Sequence, residues 1–330
     1  MKANDVERLW DYDAVEPGQT GTDTLVTLTA ENIEEYAAAS QNDNSLYKKA
    51  GEDASSDNLL IAMPTMVVTY APLLRENIAE FSGFVALERS ATARRQTPFA
   101  KCEIRWFAPV FEDDVITGSR RVLEKYERRG SRFVTFRVEA SNQDGLKVGE
   151  YDYTCIFDYA KGQRSAQGQS DPDPATDNYC NNGDIQYKKY TDLIVGDLLK
   201  PLVIKERTDV ILRKDALRLV GVSTGSNIHT DEEFARQNIF GGAVNAGPST
   251  MAYVDQMLQR TFPLESFYSG GKLLMRAITP FKAGDVVNFT GELIDVRNDD
   301  HSKFLDCRVK GVNQAGELVC LADATLVVEC

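Results

Sequence analysis

The chain has 330 residues, with 37 Lys and Arg set against 50 Asp and Glu, for a formal net charge of −13. That length suits two domains of about equal size better than one, since domains cluster at roughly 100–200 residues. The acidic balance argues against a nucleic-acid partner, whose affinity comes from clustered Lys and Arg, and no run of about 18 apolar residues is present to insert into a membrane.

The stretch Met1 to Trp10 is charged and reads as neither a secretory leader nor a transit peptide, so a cytoplasmic protein is expected. An apolar, helix-length segment follows from Pro64 to Phe81, opened by a proline that fits the first turn. Pro72 within it should kink the helix and open space beneath it. Next come Arg105-Trp-Phe-Ala-Pro109, Asp114-Val115 and strand-length runs that meander to about residue 160, with Tyr126 to Arg132 as a charged turn. Residues 161–184 are rich in Gly, Ser, Gln, Asp, Pro and Asn and read as an exposed linker.

The second half repeats the first. Arg276-Ala-Ile-Thr-Pro280 and Asp285-Val286 stand 171 positions after Arg105-Trp-Phe-Ala-Pro109 and Asp114-Val115. The same offset joins Phe133 to Phe304, Asn142-Gln143 to Asn313-Gln314 and Thr154 to Thr325 without a gap. A helix from Pro248 to about Arg260 precedes strands expected at Val286–Val296, Phe304–Val312 and Leu318–Val328, with His301 in a solvated hairpin. The expected architecture is α+β, with each long helix lying across an antiparallel sheet. Its parts are an N-terminal module (1–160), the linker (161–184) and a C-terminal module (185–330).

The six cysteines, Cys102, Cys155, Cys180, Cys307, Cys320 and Cys330, contain no Cys-x-x-Cys pair, and the two histidines are too few to complete a metal cluster. Neither a metal nor a redox cofactor is expected. Chemistry concentrates between Leu217 and Asp255. Thr230 and Glu233 match a capping box, so a short helix should start at Thr230 and fix His229 just outside it. Gly241-Gly242 and Gly247-Pro248 then lead into the long helix, whose first N–H groups are free to stabilise an oxyanion. A histidine beside such a helix start suits proton transfer at a thioester-activated double bond.

The run Ile228-His229-Thr230-Asp231-Glu232-Glu233-Phe234-Ala235, with Phe240-Gly241-Gly242 and Gly247, resembles the signature of MaoC-like (R)-specific enoyl-CoA hydratases and dehydratases. That signature reads Gly-Asp-x-Asn-Pro-Ile/Leu-His, Asp-x-x-x-Ala, then a Gly-Phe-Gly-Gly-like run. Arg276 to Asp285 resembles the family's strand turn, and Tyr36 to Tyr47 a decayed first copy of the signature. The resemblance implies a tandem (double) hot-dog fold, an internal pseudo-dimer able to assemble further, and an acyl-CoA or acyl carrier thioester as substrate. It implies His229 as the catalytic histidine and Gly247 as the backbone oxyanion donor. The family's aspartate, asparagine and proline fall on Thr224, Ser226 and Asn227, which become supporting or water-orienting residues. In the first copy Tyr47 and Asn42 replace the histidine and aspartate, so that module should be non-catalytic.

With Thr224 at the aspartate position, a replacement carboxylate is sought on the long helix, and Asp255 in its apolar stretch is the expected catalytic partner. Lys272, Arg276 and Lys282 are the candidates for coenzyme A phosphates. The expected reaction is addition or removal of water at the α,β position of an acyl thioester. A hot-dog acyl-CoA thioesterase, or an inactive acyl-thioester-binding partner subunit, are the alternatives.

Overall fold

The computed structural model describes residues 7–49, 59–160, 186–221, 226–236 and 240–329. The linker, Thr224, Cys180 and Cys330 lie outside the described residues. The strands are β1 (Leu9–Trp10), β2 (Thr24–Thr27), β3 (Val85–Ala86), β4 (Phe99–Trp106), β5 (Val115–Arg128), β6 (Ser131–Ser141) and β7 (Lys147–Asp158), then β8 (Leu202–Lys205), β9 (Lys272–Ala277), β10 (Val286–Asn298), β11 (Ser302–Asn313) and β12 (Leu318–Glu329). The helices are α1 (Ala30–Ala39), α2 (Val67–Tyr70), α3 (Arg75–Phe81), α4 (Thr208–Ala216), α5 (Glu232–Arg236), α6 (Gly247–Gln259) and α7 (Glu265–Tyr268). No described helix is long and apolar enough to cross a membrane.

Ten strands form one sheet in the order β2-β5-β6-β7-β4-β9-β12-β11-β10-β8. Each half contributes five, and the halves meet where β4 pairs antiparallel with β9, from Lys101 opposite Arg276 to Arg105 opposite Lys272. The repeat is reproduced residue by residue: β5, β6 and β7 begin at Val115, Ser131 and Lys147, and β10, β11 and β12 begin 171 residues later at Val286, Ser302 and Leu318. Even the bulges correspond, Val122/Glu124 with Leu293/Asp295 and Ala140/Ser141 with Gly311/Val312. Alternation of buried and half-exposed residues along these strands puts one face of the sheet on the helices and leaves the other to charged side chains.

The two central helices differ. In the C-terminal half α6 runs unbroken for 13 residues, and Met251 through Asp255 are all buried. In the N-terminal half the equivalent segment starts as a 3-10 turn at Pro64–Met66, continues as the four-residue α2, and breaks before α3. Pro72 cannot continue an α-helical hydrogen-bond ladder, and Leu74 lies in the left-handed region at φ 47°. The charged turn after Tyr126 is a two-residue hairpin connection at Arg129 and Gly130, both with positive φ, and His301 is exposed between β10 and β11.

Candidate functional site

His229 is held by its neighbours rather than by regular structure. The Asn227 carboxamide oxygen accepts from the backbone N–H of His229 at 2.7 Å and of Thr230 at 3.1 Å. This Asx turn tightens the chain just before α5. The helix begins one residue later than the Thr-x-x-Glu spacing predicts: Asp231, not Thr230, caps it, accepting from Phe234 N–H at 2.9 Å while Ser226 Oγ donates to its other oxygen at 2.6 Å. A small apolar cluster of Ile228, Ala235 and Val244, with Phe234 and Phe240 against it, anchors the loop.

Across this loop Val244 N–H donates to Ile228 O at 3.2 Å, and the Val244 carbonyl lies 2.8 Å from His229 Nδ1. A carbonyl can only accept, so Nδ1 carries the proton and Nε2 presents a lone pair. Burial lowers the imidazole's pKa below its ordinary value, against the opposing effects of the Val244 bond and the Asp215 charge. The ring is therefore a neutral base near pH 7.

Two cavities meet at this histidine. The first, about 350 Å³, is mostly apolar and runs between the halves, lined by Phe99, Phe133, Ile156, Gly247, Thr250 and Phe281 among others. The second, about 240 Å³, lies beneath α1, α2 and α4 and is lined by Tyr36, Val68, Thr69, Lys214, Asp215 and Arg218 among others. Among the described residues, His229 and Asn245 alone line both. Asp215 brings a carboxylate into the second cavity; Asn227 Nδ2 donates to its oxygens at 3.1 and 3.3 Å, so one asparagine positions both histidine and acid. Lys214 Nζ sits over the rings of Tyr36 and Tyr253 at 5.5 and 5.1 Å, and burial pushes its pKa down to about 7.

Gly247 starts α6 with Pro248 behind it. A Cβ there would fall 2.3 Å from the Phe99 ring, so glycine alone lets that wall of the first cavity close on the helix start. First-turn N–H groups have no partner within a helix, and that of Gly247 meets no acceptor among the described residues.

No family model and no curated protein matches the sequence. Solved structures do match, over nearly the whole chain. A MaoC-like dehydratase shares 15% identity at a TM-score of 0.66, covering 94% of this chain and 98% of its own. A MaoC domain protein dehydratase from Chloroflexus aurantiacus shares 13% at 0.64, covering 98% and 99%. A conserved Mycobacterium tuberculosis protein described as having a double hotdog fold shares 13% at 0.58, covering 96% and 98%. This chain is a double hot-dog.

Within the double hot-dog, the residues expected from sequence separate into two groups. His229 and Gly247 line the first cavity, and Asn227, behind the wall, holds His229 and Asp215 in place. Ser226 turns its hydroxyl to Asp231 instead. Asp255 is not brought to His229 at all: it is fully buried and lines neither cavity. One of its oxygens accepts from Thr65 N–H (3.1 Å) and Oγ1 (2.8 Å), the other from Gln259 Nε2 (2.7 Å), tying α6 to the first module. Eight residues of helix put it about 12 Å along the axis from Gly247. Lys272 and Arg276 alternate with the buried Leu273 and Met275 and so face the other side of the sheet, where Arg276 pairs with Asp323 at 3.0 Å. Of the three expected phosphate ligands only Lys282, next to Phe281, stays near the cavity.

The acid that shares the second cavity with His229, Asp215, carries no motif. Its one signal is electrostatic: it occupies the last turn of α4, where a carboxylate opposes the helix dipole.

Proposed function

We propose that this protein adds water to, or removes it from, the α,β double bond of an acyl thioester, with the reacting carbons between the two cavities. The observation that carries this reading is His229: its Nδ1–H is committed to Val244 O, and its free Nε2 lies where an apolar channel meets a smaller polar chamber.

In the hydration direction Nε2 takes a proton from water as the oxygen bonds to the β carbon. The π electrons move onto the thioester oxygen as an enolate. The N–H at the start of α6, at Gly247, faces that charge. The imidazolium then returns its proton to the α carbon, giving syn addition with no net change at the enzyme. Asp215 takes the place assigned to Asp255, accepting a hydrogen bond from the O–H that stays on the water oxygen as it becomes the β-hydroxyl, and steadying the imidazolium. The thioester rides on coenzyme A or a carrier protein, with Lys282 the remaining phosphate candidate.

The test is direct. Incubated with crotonyl-CoA, the purified protein should remove the enoyl absorbance without releasing free thiol, and His229→Ala should not. Thiol release would identify a thioesterase instead. Tight acyl-CoA binding without turnover would identify an inactive binding subunit.

A further inference from the structure

Among the described residues, three buried side-chain polar atoms have no hydrogen-bond partner: Asn245 Nδ2, Gln256 Oε1 and Asn288 Oδ1. Only Asn245 belongs to a cavity wall, and it borders both cavities, a property shared only with His229. It is 9% exposed. A buried donor left unpaired costs free energy that a smaller or apolar residue would avoid. The orphan at this position therefore calls for a partner that arrives with a ligand.

The backbone around it is fixed at every point. Asn245 N–H donates to Phe281 O at 2.6 Å, and the preceding carbonyl, that of Val244, is the one that holds His229 Nδ1. Two residues on, Gly247 opens α6. A single four-residue segment thus orients the base, presents a free carboxamide N–H and presents a free backbone N–H.

The kind of ligand atom follows from the donor. A water about to attack must give its protons to acceptors and keep a lone pair for carbon, so an N–H aimed at it would weaken it. An N–H aimed at an oxygen that gains negative charge does the opposite. We propose that Asn245 Nδ2 hydrogen-bonds the carbonyl oxygen of the bound thioester and, with Gly247 N–H, forms a two-donor oxyanion site. This assignment rests on the hydration reading for the identity of the ligand. It makes Asn245 a catalytic residue in a position that the sequence signature leaves unassigned.

Two measurements test it independently. On crotonyl-CoA, Asn245→Ala should lower kcat about 10²-fold, in the range seen when one oxyanion donor is removed, and Asn245→Asp should be slower still because a carboxylate repels the enolate. Asn245→Leu should melt at or above the wild-type temperature. An asparagine that merely supports the fold would show the reverse pattern: lower melting with little loss of kcat in the folded fraction. The second measurement needs no turnover. In His229→Ala protein, bound 2,4-hexadienoyl-CoA should absorb to the red of the free thioester, because a donor at the carbonyl polarises the conjugated system. Adding Asn245→Leu should markedly reduce that shift, leaving only the part due to Gly247 N–H. An unchanged shift in the double variant, or none in His229→Ala alone, overturns the assignment. Hydration in the wild type with full kcat in Asn245→Ala overturns it too, and leaves the hydratase reading intact. A red shift that depends on Asn245, in a protein that hydrates nothing, would uphold the donor and refute the hydration.

Discussion

The two modules began as one sequence and now treat the same segment differently. In the C-terminal copy the loop before the central helix keeps an imidazole at a cavity, and the helix behind it is continuous. In the N-terminal copy Tyr47 stands at the corresponding place, fully buried, with its hydroxyl donating to Gln259 Oε1 of α6 at 2.6 Å. The same Gln259 donates to Asp255, and Asp255 accepts from Thr65 at the start of the broken first helix. The position that holds an imidazole at a cavity in the C-terminal copy holds, in the N-terminal copy, a clamp on α6. The comparison teaches that the first module does two things for the second: it braces α6, and it lends Val68 and Thr69 from its interrupted helix to the second cavity.

The largest expected effect separates the two equivalent positions. His229→Ala should reduce turnover by about 10²–10⁴-fold and leave the melting temperature nearly unchanged, since the ring is only partly buried. Tyr47→Phe should do the opposite. A rate loss in the tyrosine variant as large as in the histidine variant would break the contrast.

Asp215→Asn comes next, with an expected loss of about 10²-fold. Because the Asp215 charge raises the His229 pKa, its removal should also move the acid limb of the pH profile of kcat/KM to lower pH. In the wild type that limb should already lie below pH 6.5, as burial lowers the imidazole pKa. A limb that stays in place in the variant would show that the carboxylate does not reach the ring.

Asp255→Asn should leave kcat within about two-fold and change the pH dependence of stability instead. Burial raises the Asp255 pKa to about 6. A carboxyl group raised in this way stabilises the fold fully below its unfolded value, near 4, and loses that contribution as pH rises through about 6. The asparagine variant should lack that slope, on the order of 2–3 kcal/mol, when unfolding is followed in urea from pH 4 to 7. Asp255→Ala, which strands Thr65 and Gln259, should cost about 1–3 kcal/mol instead. The smallest effect is the stability cost of Tyr47→Phe, about 1 kcal/mol for one hydrogen bond, read from the urea midpoint.

Much of the fold was legible because long strands write themselves into sequence at period two, and a duplicated meander writes itself twice. The ungapped offset from Arg105 to Thr325 matches the starts of β5 to β7 to those of β10 to β12 residue for residue. His229 was legible for another reason: its loop geometry depends on neighbours one to three residues away, chiefly Asn227. Asp215 was not, because it joins His229 in the second cavity only through the packing of α4 against a loop 12 residues along the chain, where Asn227 holds it. Asp255 misled because an acid in an apolar helix announces burial but not direction. Its face of α6 looks to Thr65 and the first module, not to the cavity. Thr230 misled more mildly, since two candidate caps stood side by side and the carboxylate of Asp231 took the helix start.

The sheet ends in β2 and β8, strands of only four residues each, flanking neighbours of 14 and 13 residues. A growing fibre needs a long row of unpaired backbone groups to template the next chain, and open ten-stranded sheets are exposed to that hazard. Here each rim offers one short strand, and β8 closes with Lys205. Fusion at the β4–β9 seam buries the two longest rims the modules would otherwise present, so the duplicated protein carries its aggregation safeguard in its topology.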